Sequence, residues 1–305
     1  MEKVGVLAGW RRWTSVCVAA SAVAFVFSAT NAWAARATNG VRVMSFNIHV
    51  ANNKDDETNW DRRKETLVDA IKESDPDLLG VQEALPRQMD YLNETLTEYA
   101  SFGVGRTDGK RKGEFTAIFY KKDKFELLDS GTFWLSPTPE KPGRGWDAAY
   151  TRILTWGKFR SLKTKKEFVY ANTHLDNSGK VARLESAKMI LSKFGEMVGD
   201  KAPFFVTGDF NCDENSEPYR LLTTSGLYDA AKIAKTCKIA QPRTFNNYCR
   251  IPVEKGKIID FVFVNSKCDV LKFEINPDLH RDPKTRKKRP ASDHNSVVAT
   301  LRFVD

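Results

Sequence analysis

The chain has 305 residues, of which 41% are hydrophobic, 29% charged and 11% aromatic. That balance excludes a disordered or low-complexity protein and supplies enough apolar mass for one large α/β domain or two small ones. The formal net charge of +9 suits an anionic partner and says nothing about fold.

Residues 1–34 read apart from the rest. Lys3, Arg11 and Arg12 precede a charge-free stretch from Trp13 to Ala35 whose most apolar part is "VCVAASAVAFVF". That centre has signal-peptide length, and Ala32 and Ala34 provide a small-residue cleavage pattern. Ser15, Ser21, Ser28, Thr30 and Asn31 dilute the stretch and argue against an uncleaved membrane anchor. The expected organisation is a signal peptide over 1–34, a short linker over 35–40 and one exported domain over 41–305, periplasmic or secreted, with no stable membrane span after cleavage. Cleavage would remove three basic residues and one acid, leaving a net +7, and would take Cys17 with it. The other cysteines, Cys212, Cys237, Cys249 and Cys268, contain no C-x-x-C pair, which argues against zinc. Cys237 and Cys249 flank a short polar loop and are the expected disulfide in an oxidising compartment, with two free thiols as the alternative.

The domain opens with a strand-like run, "VRVMSFNI" (41–48), that places Asn47 at its end. A helix is predicted over 60–74, with Leu67, Val68 and Ile71 at helical spacing and Thr58 or Asn59 as its cap. The strand "LLGVQE" (78–83) ends on Glu83. A helix over 86–96 begins with Pro86 near its first turn and carries Met89, Leu92 and Leu96 as its stripe. Lys110, Arg111 and Lys112 form a basic cluster just before Glu114 and the strand at 115–120. A loop at 134–150 holds Trp134 and Trp146, which either pack on the domain or shape a pocket. Arg152 follows, then strands at 153–159 and at 167–175, the latter carrying His174 near its end.

The clearest helix spans 179–198, with Val181, Leu184, Met189, Ile190 and Phe194 aligned. The strand at 203–210 runs into "GDFN", presenting Asp209 and Asn211. Asp260 lies early in a strand at 258–264, and another strand covers 268–275. A basic block (Arg281, Lys284, Arg286, Lys287, Lys288, Arg289) precedes "SDHN", where Asp293 and His294 stand before a final strand at 295–303. That block is either solvated charge or an electrostatic guide for a polyanion. Strands dominate, with helices between them, which predicts a four-layer α/β sandwich: two packed, mostly antiparallel sheets flanked by helices.

Each of these polar residues could be an ordinary turn former. The set is harder to dismiss. Glu83, Asp209 and Asp293 with Asn47 and Asn211 form an all-oxygen inventory that suits Mg²⁺ or Mn²⁺. His174 and His294 sit beside acids, as proton transfer near neutral pH requires. No G-x-S-x-G elbow and no phosphate-binding G-x-x-x-x-G-K-[ST] loop competes with them.

The motifs "FN", "QE", "THLD", "GDFN", "IDFVFV" and "SDH", in this order over 41–303, resemble the endonuclease/exonuclease/phosphatase superfamily with its deoxyribonuclease I-like fold. The stretch 105–149 is similar to an exported bacterial branch akin to deadenylase-type exonucleases. The resemblance implies Glu83 as principal metal ligand with Asn47 and Asp293, and Asp209 orienting or deprotonating the attacking water with Asn211 holding the phosphate. It implies His294, oriented by Asp260, against the scissile phosphate, with either His294 or Asp209 as the base. It further implies His174 at the leaving oxygen or the phosphate, Glu114 orienting that histidine, and Arg152 contacting phosphate. In-line attack builds negative charge on phosphoryl oxygens, which a divalent cation, an imidazolium and a guanidinium can stabilise. The expected activity is metal-dependent phosphodiester hydrolysis, with nucleic acid as the expected substrate and 3'-5' exonuclease action as one form of it. The alternative is a phospholipid or small-molecule phosphoesterase, sphingomyelinase-like or acting on inositol or sugar phosphates. No protein partner is expected.

Overall fold

A computed structural model describes residues 40–51, 58–198, 201–281 and 288–304. The expected signal peptide and Lys284, Arg286 and Lys287 of the basic block therefore lie outside the described residues. Along the chain run β1 (Val41–Asn47), α1 (Trp60–Ser74), β2 (Leu78–Ala84), α2 (Pro86–Thr95), β3 (Tyr99–Phe102), β4 (Phe115–Lys121), β5 (Phe125–Trp134) and β6 (Ile153–Ser161). They are followed by β7 (Glu167–His174), α3 (Lys180–Met197), β8 (Phe204–Asp209), α4 (Glu217–Thr224), β9 (Tyr228–Asp229), α5 (Ala230–Ile233) and β10 (Thr236–Ile239). The last strands are β11 (Asp260–Val264), β12 (Cys268–Asn276), β13 (Leu279–Arg281), β14 (Lys288–Pro290) and β15 (Ser296–Phe303).

One sheet has the order β10-β12-β15-β1-β2-β4-β3 and the other β5-β6-β7-β8-β11-β9, while β13 and β14 pair as a separate hairpin. Only β1–β2, β10–β12 and β7–β8 are parallel within the two large sheets, so they are mostly antiparallel, as expected. Three buried clusters define four layers. Met44, Phe46, Leu79 and Val81 pack against Leu67 and Ile71 of α1 and Met89 and Leu92 of α2. Val43, Ile118 and Val297 from one sheet meet Phe168, Phe205 and Val262 from the other. Val169, Phe204, Val206 and Phe263 cover Ile190 and Phe194 of α3 and Leu222 of α4. Stacked aromatics fill the dry end of the inter-sheet layer, with Phe159 5.4 Å from Phe168 and Phe168 5.7 Å from Phe205 between ring centres.

Local sequence explains the ends of these elements. Asn59 caps α1, its side chain accepting from the Asp61 amide at 2.9 Å, and Asp75 closes the helix in the left-handed region. All nine predicted strands occur, and the three predicted helices match to within about two residues. The buried stripe of α3 differs from the expected one. Ala182, Ser186, Ala187, Ile190 and Phe194 face the sheet, while Val181 is half exposed, because three small residues let the helix lie close to the strands. β10 is exposed throughout and β5 is half exposed around Asp129 and Ser130, so neither carries an apolar alternation from which a strand could be read. The expected disulfide is also absent: Cys237 and Cys249 are free and exposed, and Cys212 and Cys268 are free and buried. Trp134 is buried with Nε1 donating to the Arg106 carbonyl at 2.8 Å, whereas Trp146 is 37% exposed.

Candidate active site

Strand parity decides which polar side chains meet. Val43 of β1 faces the inter-sheet layer and Met44 and Phe46 face the helices, so Ser45 and Asn47 point between the sheets. By the same alternation Phe168 and Tyr170 of β7 lead to Asn172 and His174. Phe205 of β8 leads to Thr207 and Asp209, and Val264 and Val262 of β11 lead back to Asp260. One inner face thus changes along every strand from aromatic or aliphatic, through amide and hydroxyl, to carboxylate and imidazole.

The polar middle of that layer is braced. Asn172 donates to the carbonyls of Val81 and Ala117, both at 2.9 Å, and its Oδ1 accepts from Gln82 at 2.7 Å and Thr207 at 3.1 Å. Gly80 permits this, since a Cβ there would lie 2.6 Å from the Asn172 side chain. Gly208 of "GDFN" is required similarly, its Cβ position lying 2.2 Å from the Thr173 carbonyl oxygen.

Glu83 breaks the parity. Leu78 faces inward, so Glu83 on a regular strand would face the helices. The β2–β4 ladder instead slips between Val81 and Ala84, and Glu83 has φ +65°. This bulge swings the carboxylate to the inner rim, where Oε1 accepts from Asn47 Nδ2 at 3.1 Å and Oε2 from the Val50 amide at 2.8 Å. Asn47 Nδ2 also donates to Asp209 Oδ2 at 3.0 Å, and Asn47 Oδ1 accepts from the His49 amide at 3.0 Å. Asn47 therefore ties two carboxylates together, with its oxygen accepting from the His49 amide.

The segment after β1 is clamped from below. Buried Arg63 donates to the carbonyls of Ile48, His49, Thr58 and Ala291, and Gln88 Nε2 donates to the His49 carbonyl at 2.9 Å. The Tyr248 hydroxyl lies 2.7 Å from His49 Nδ1, and His49 Nε2 lies 3.8 Å from Asp293 Oδ2. Asn247, Tyr248 and Cys249 all have φ between +47° and +60°. Arg63 lies on the same helical stripe as Leu67 and Ile71, and a cation on an apolar stripe was the signal that could have revealed it. His49 and Tyr248 are far apart in sequence and left none.

Next to Asp209, His294 Nδ1 is 2.8 Å from Asp260 Oδ2, and its Nε2 is 3.7 Å from Asp209 Oδ2. Burial favours the neutral imidazole, but Asp260, Asp209 and Asp293 outweigh it and hold His294 well above its usual pKa. Burial, and then Asp260, pushes the Asp209 carboxyl up, more than His294 and the Asn211 amide pull it down. His174 is driven the other way, well below its usual value, by burial and by the positive Arg152, Arg106 and His294. A neutral His174 agrees with its Nε2 accepting from Asn211 Nδ2 at 3.0 Å. That amide nitrogen also donates to the Leu175 carbonyl at 3.0 Å, so both its hydrogens are committed. Asn211 thus positions His174, where a phosphate contact was expected. Burial alone would raise Glu83, but His49 and the Asn47 amide hold it below the ordinary carboxylate range.

These groups line one cleft of about 610 Å³ together with Glu114, Arg152, Arg106, Tyr150 and Asn177. The structure brings every expected site residue to this region: Asn47 and Asp260 lie just behind the lining. Glu114 departs from its expected role. It is paired with Arg106, Nη1 to Oε2 and Nη2 to Oε1 both at 2.8 Å, and does not orient His174. Arg152 is held by Asp176 and Asn177, each at 3.3 Å, and its Nη1 is buried without a partner. Asp176, in "THLD", accepts from the amides of Ala149, Tyr150, Ser178 and Gly179; burial would raise it, but these donors hold its carboxyl down to about 2.

The donor set fits a hard divalent cation at Glu83 and Asp293, two carboxylates facing the same cleft. Asp209, Asp260 and His294 also offer donor atoms within 4.8 Å of one another. The 2.8 Å His294–Asp260 contact, however, is a hydrogen bond, so those three read as a proton-handling group.

The sequence model described as "Endonuclease/Exonuclease/phosphatase family" matches residues 44–294. A solved endonuclease/exonuclease/phosphatase from Bacteroides vulgatus is 40% identical, covering 87% of this chain and 100% of that one at TM-score 0.81. A mannosyl-6-phosphatase of Bacteroides thetaiotaomicron is 36% identical, covering 86% and 100% at TM-score 0.82. The CCR4-Not complex 3'-5'-exoribonuclease subunit Ccr4 of Emericella nidulans is 23% identical over 232 residues, covering 56% of this chain and 34% of Ccr4. The chain spans about half the length, or less, of most of the curated relatives it matches.

Proposed function

The chain belongs to the endonuclease/exonuclease/phosphatase family, whose members are phosphoester hydrolases, and on that premise we propose that it is an exported, Mg²⁺- or Mn²⁺-dependent phosphatase of small sugar phosphates. The observation that carries the chemistry is the row Asp260–His294–Asp209 in the same cleft as Glu83 and Asp293, with Asn47 bridging Asp209 and Glu83. Asp209, with its carboxyl raised, accepts a proton from the attacking water near neutral pH. His294, kept cationic by Asp260, neutralises charge that grows on the phosphoryl oxygens as the P–O bond to the alcohol breaks. Arg152 binds the phosphate, with neutral His174 beside it in the cleft. A divalent cation, which Glu83 and Asp293 would hold, supplies Lewis-acid polarisation of a phosphoryl oxygen.

The likeness to a mannosyl-6-phosphatase over 86% of this chain and all of that one supports a small sugar phosphate over a polynucleotide. A second reading, a 3'-5' exonuclease, is supported by the similarity to Ccr4 and by Arg106, Arg152, Lys255 and Lys257 lining the cleft. Export rests on the basic, apolar and A-x-A pattern of residues 1–34. Purified protein with Mg²⁺ should release orthophosphate from mannose 6-phosphate, and Asp209→Ala should not. Stepwise shortening of a 5'-labelled RNA oligonucleotide, with no phosphate from sugar phosphates, would replace the first reading by the second. The N-terminal sequence of exported protein tests cleavage after Ala34.

A further inference from the structure

One wall of the cleft holds an arrangement that the hydrolytic steps do not use. Arg106 and Glu114 form a two-point ion pair whose side chains are only 13% and 20% exposed. Tyr150 stands beside them, 51% exposed, with the Arg106 guanidinium 5.4 Å and the Arg152 guanidinium 5.6 Å from its ring centre. Arg106, Glu114, Tyr150 and Arg152 all line the same cleft as His174 and Asp209.

The chemistry of this wall is mixed. Pairing with Glu114 through Nη1 and Nη2 leaves Arg106 its Nε–H and one hydrogen on each terminal nitrogen, and leaves lone pairs on Glu114. Donors and acceptors therefore lie side by side. A second phosphate would be repelled by the carboxylate. A half-buried ion pair adds little to fold stability by itself. Adjacent hydroxyl groups, each needing both a donor and an acceptor, match it, and an aromatic side chain such as Tyr150 offers a carbon-rich face to a sugar ring.

We propose that Arg106, Glu114 and Tyr150 form a subsite for the vicinal hydroxyls of the alcohol half of the substrate, a sugar ring, beside a phosphate seated against His294 and Arg152. The subsite deepens the phosphoesterase reading above and rests on it. It determines which ester is accepted and takes no part in the bond cleavage.

The test is the ratio of kcat/KM for mannose 6-phosphate to kcat/KM for phenyl phosphate, which lacks hydroxyls, in wild type, Glu114→Gln and Tyr150→Ala. Loss of a charge-assisted hydrogen bond to a hydroxyl should lower that ratio by about 10- to 100-fold in Glu114→Gln. Tyr150→Ala, which removes a half-exposed ring and leaves the core intact, should lower it by about 5-fold or more. A drop of the same kind for adenosine over 2'-deoxyadenosine 5'-monophosphate would assign the diol to ribose. Ratios unchanged within about threefold in both variants would overturn the subsite. If Glu114→Gln does not fold, Tyr150→Ala decides. A wild type inactive on every ester would overturn the phosphoesterase reading and the subsite with it.

Discussion

His294 and Asp260 are joined across the two sheets: His294 leads into β15 of one sheet, Asp260 opens β11 of the other, and Nδ1 lies 2.8 Å from Oδ2. The bond both aims the ring and keeps it charged. Asp260→Asn should therefore lower kcat by about 10²-fold or more while KM changes by less than about threefold. Steady-state kinetics on a sugar phosphate check this; a matching rise in KM would mean that the pair serves binding instead.

The bulge at Glu83 stores strain for function. A non-glycine residue at φ +65° is disfavoured by roughly 1 kcal/mol. Glu83→Gly should abolish activity yet leave the protein as stable or raise its melting temperature by about 1–3 °C. Thermal unfolding followed by circular dichroism, beside an activity assay, tests the pair of outcomes together.

Asn172 is bound to four groups between the sheets. Asn172→Ala takes one buried partner each from Gln82, Thr207 and two carbonyls, although Gln82 keeps Ser45 and Thr207 keeps Tyr170, and should destabilise by about 2 kcal/mol or more. Urea denaturation of both proteins gives the difference directly. A loss under about 1 kcal/mol would show that water enters the layer and takes the amide's place.

Asp278 carries a pH dependence unrelated to catalysis. It is buried, accepts from the Ser296 amide at 2.5 Å, and burial pushes its carboxyl up to about 7. Since the folded protein holds that proton more tightly than the unfolded chain, the stability it contributes is full below about pH 4 and is lost as pH rises towards 7. The loss is of the order of 4 kcal/mol. Asp278→Asn should lack this decline and be the more stable protein at pH 8. Denaturation at pH 5 and pH 8 measures it, and parallel curves for the two proteins would contradict it.

Much of this was legible in the sequence because parity and apolar runs are local properties. Asn47, His174, Asp209 and Asp260 all share parity with apolar inner residues on their own strands, so a strand reading already aims them at one layer. Glu83 escapes that rule, since a bulge is set by the mismatch between two strands and not by either alone. The pairing of Glu114 with Arg106 is illegible for a related reason: the turn that carries Arg106 back to it depends on Gly105 and Gly109 closing against one another through a backbone hydrogen bond of 3.0 Å. β10 left no trace because an edge strand without a buried face has no pattern to print.

The site is shared between two sheets that meet there through polar contacts, Asn47 to Asp209 and His294 to Asp260, while the aromatic stack lies at the far end. The enzyme is in this sense a pair of jaws hinged on phenylalanine. A small slip at the mouth would part Asp209 from Asn47 and His294 from Asp260 with every strand still intact, so loss of turnover on heating would come before loss of secondary structure.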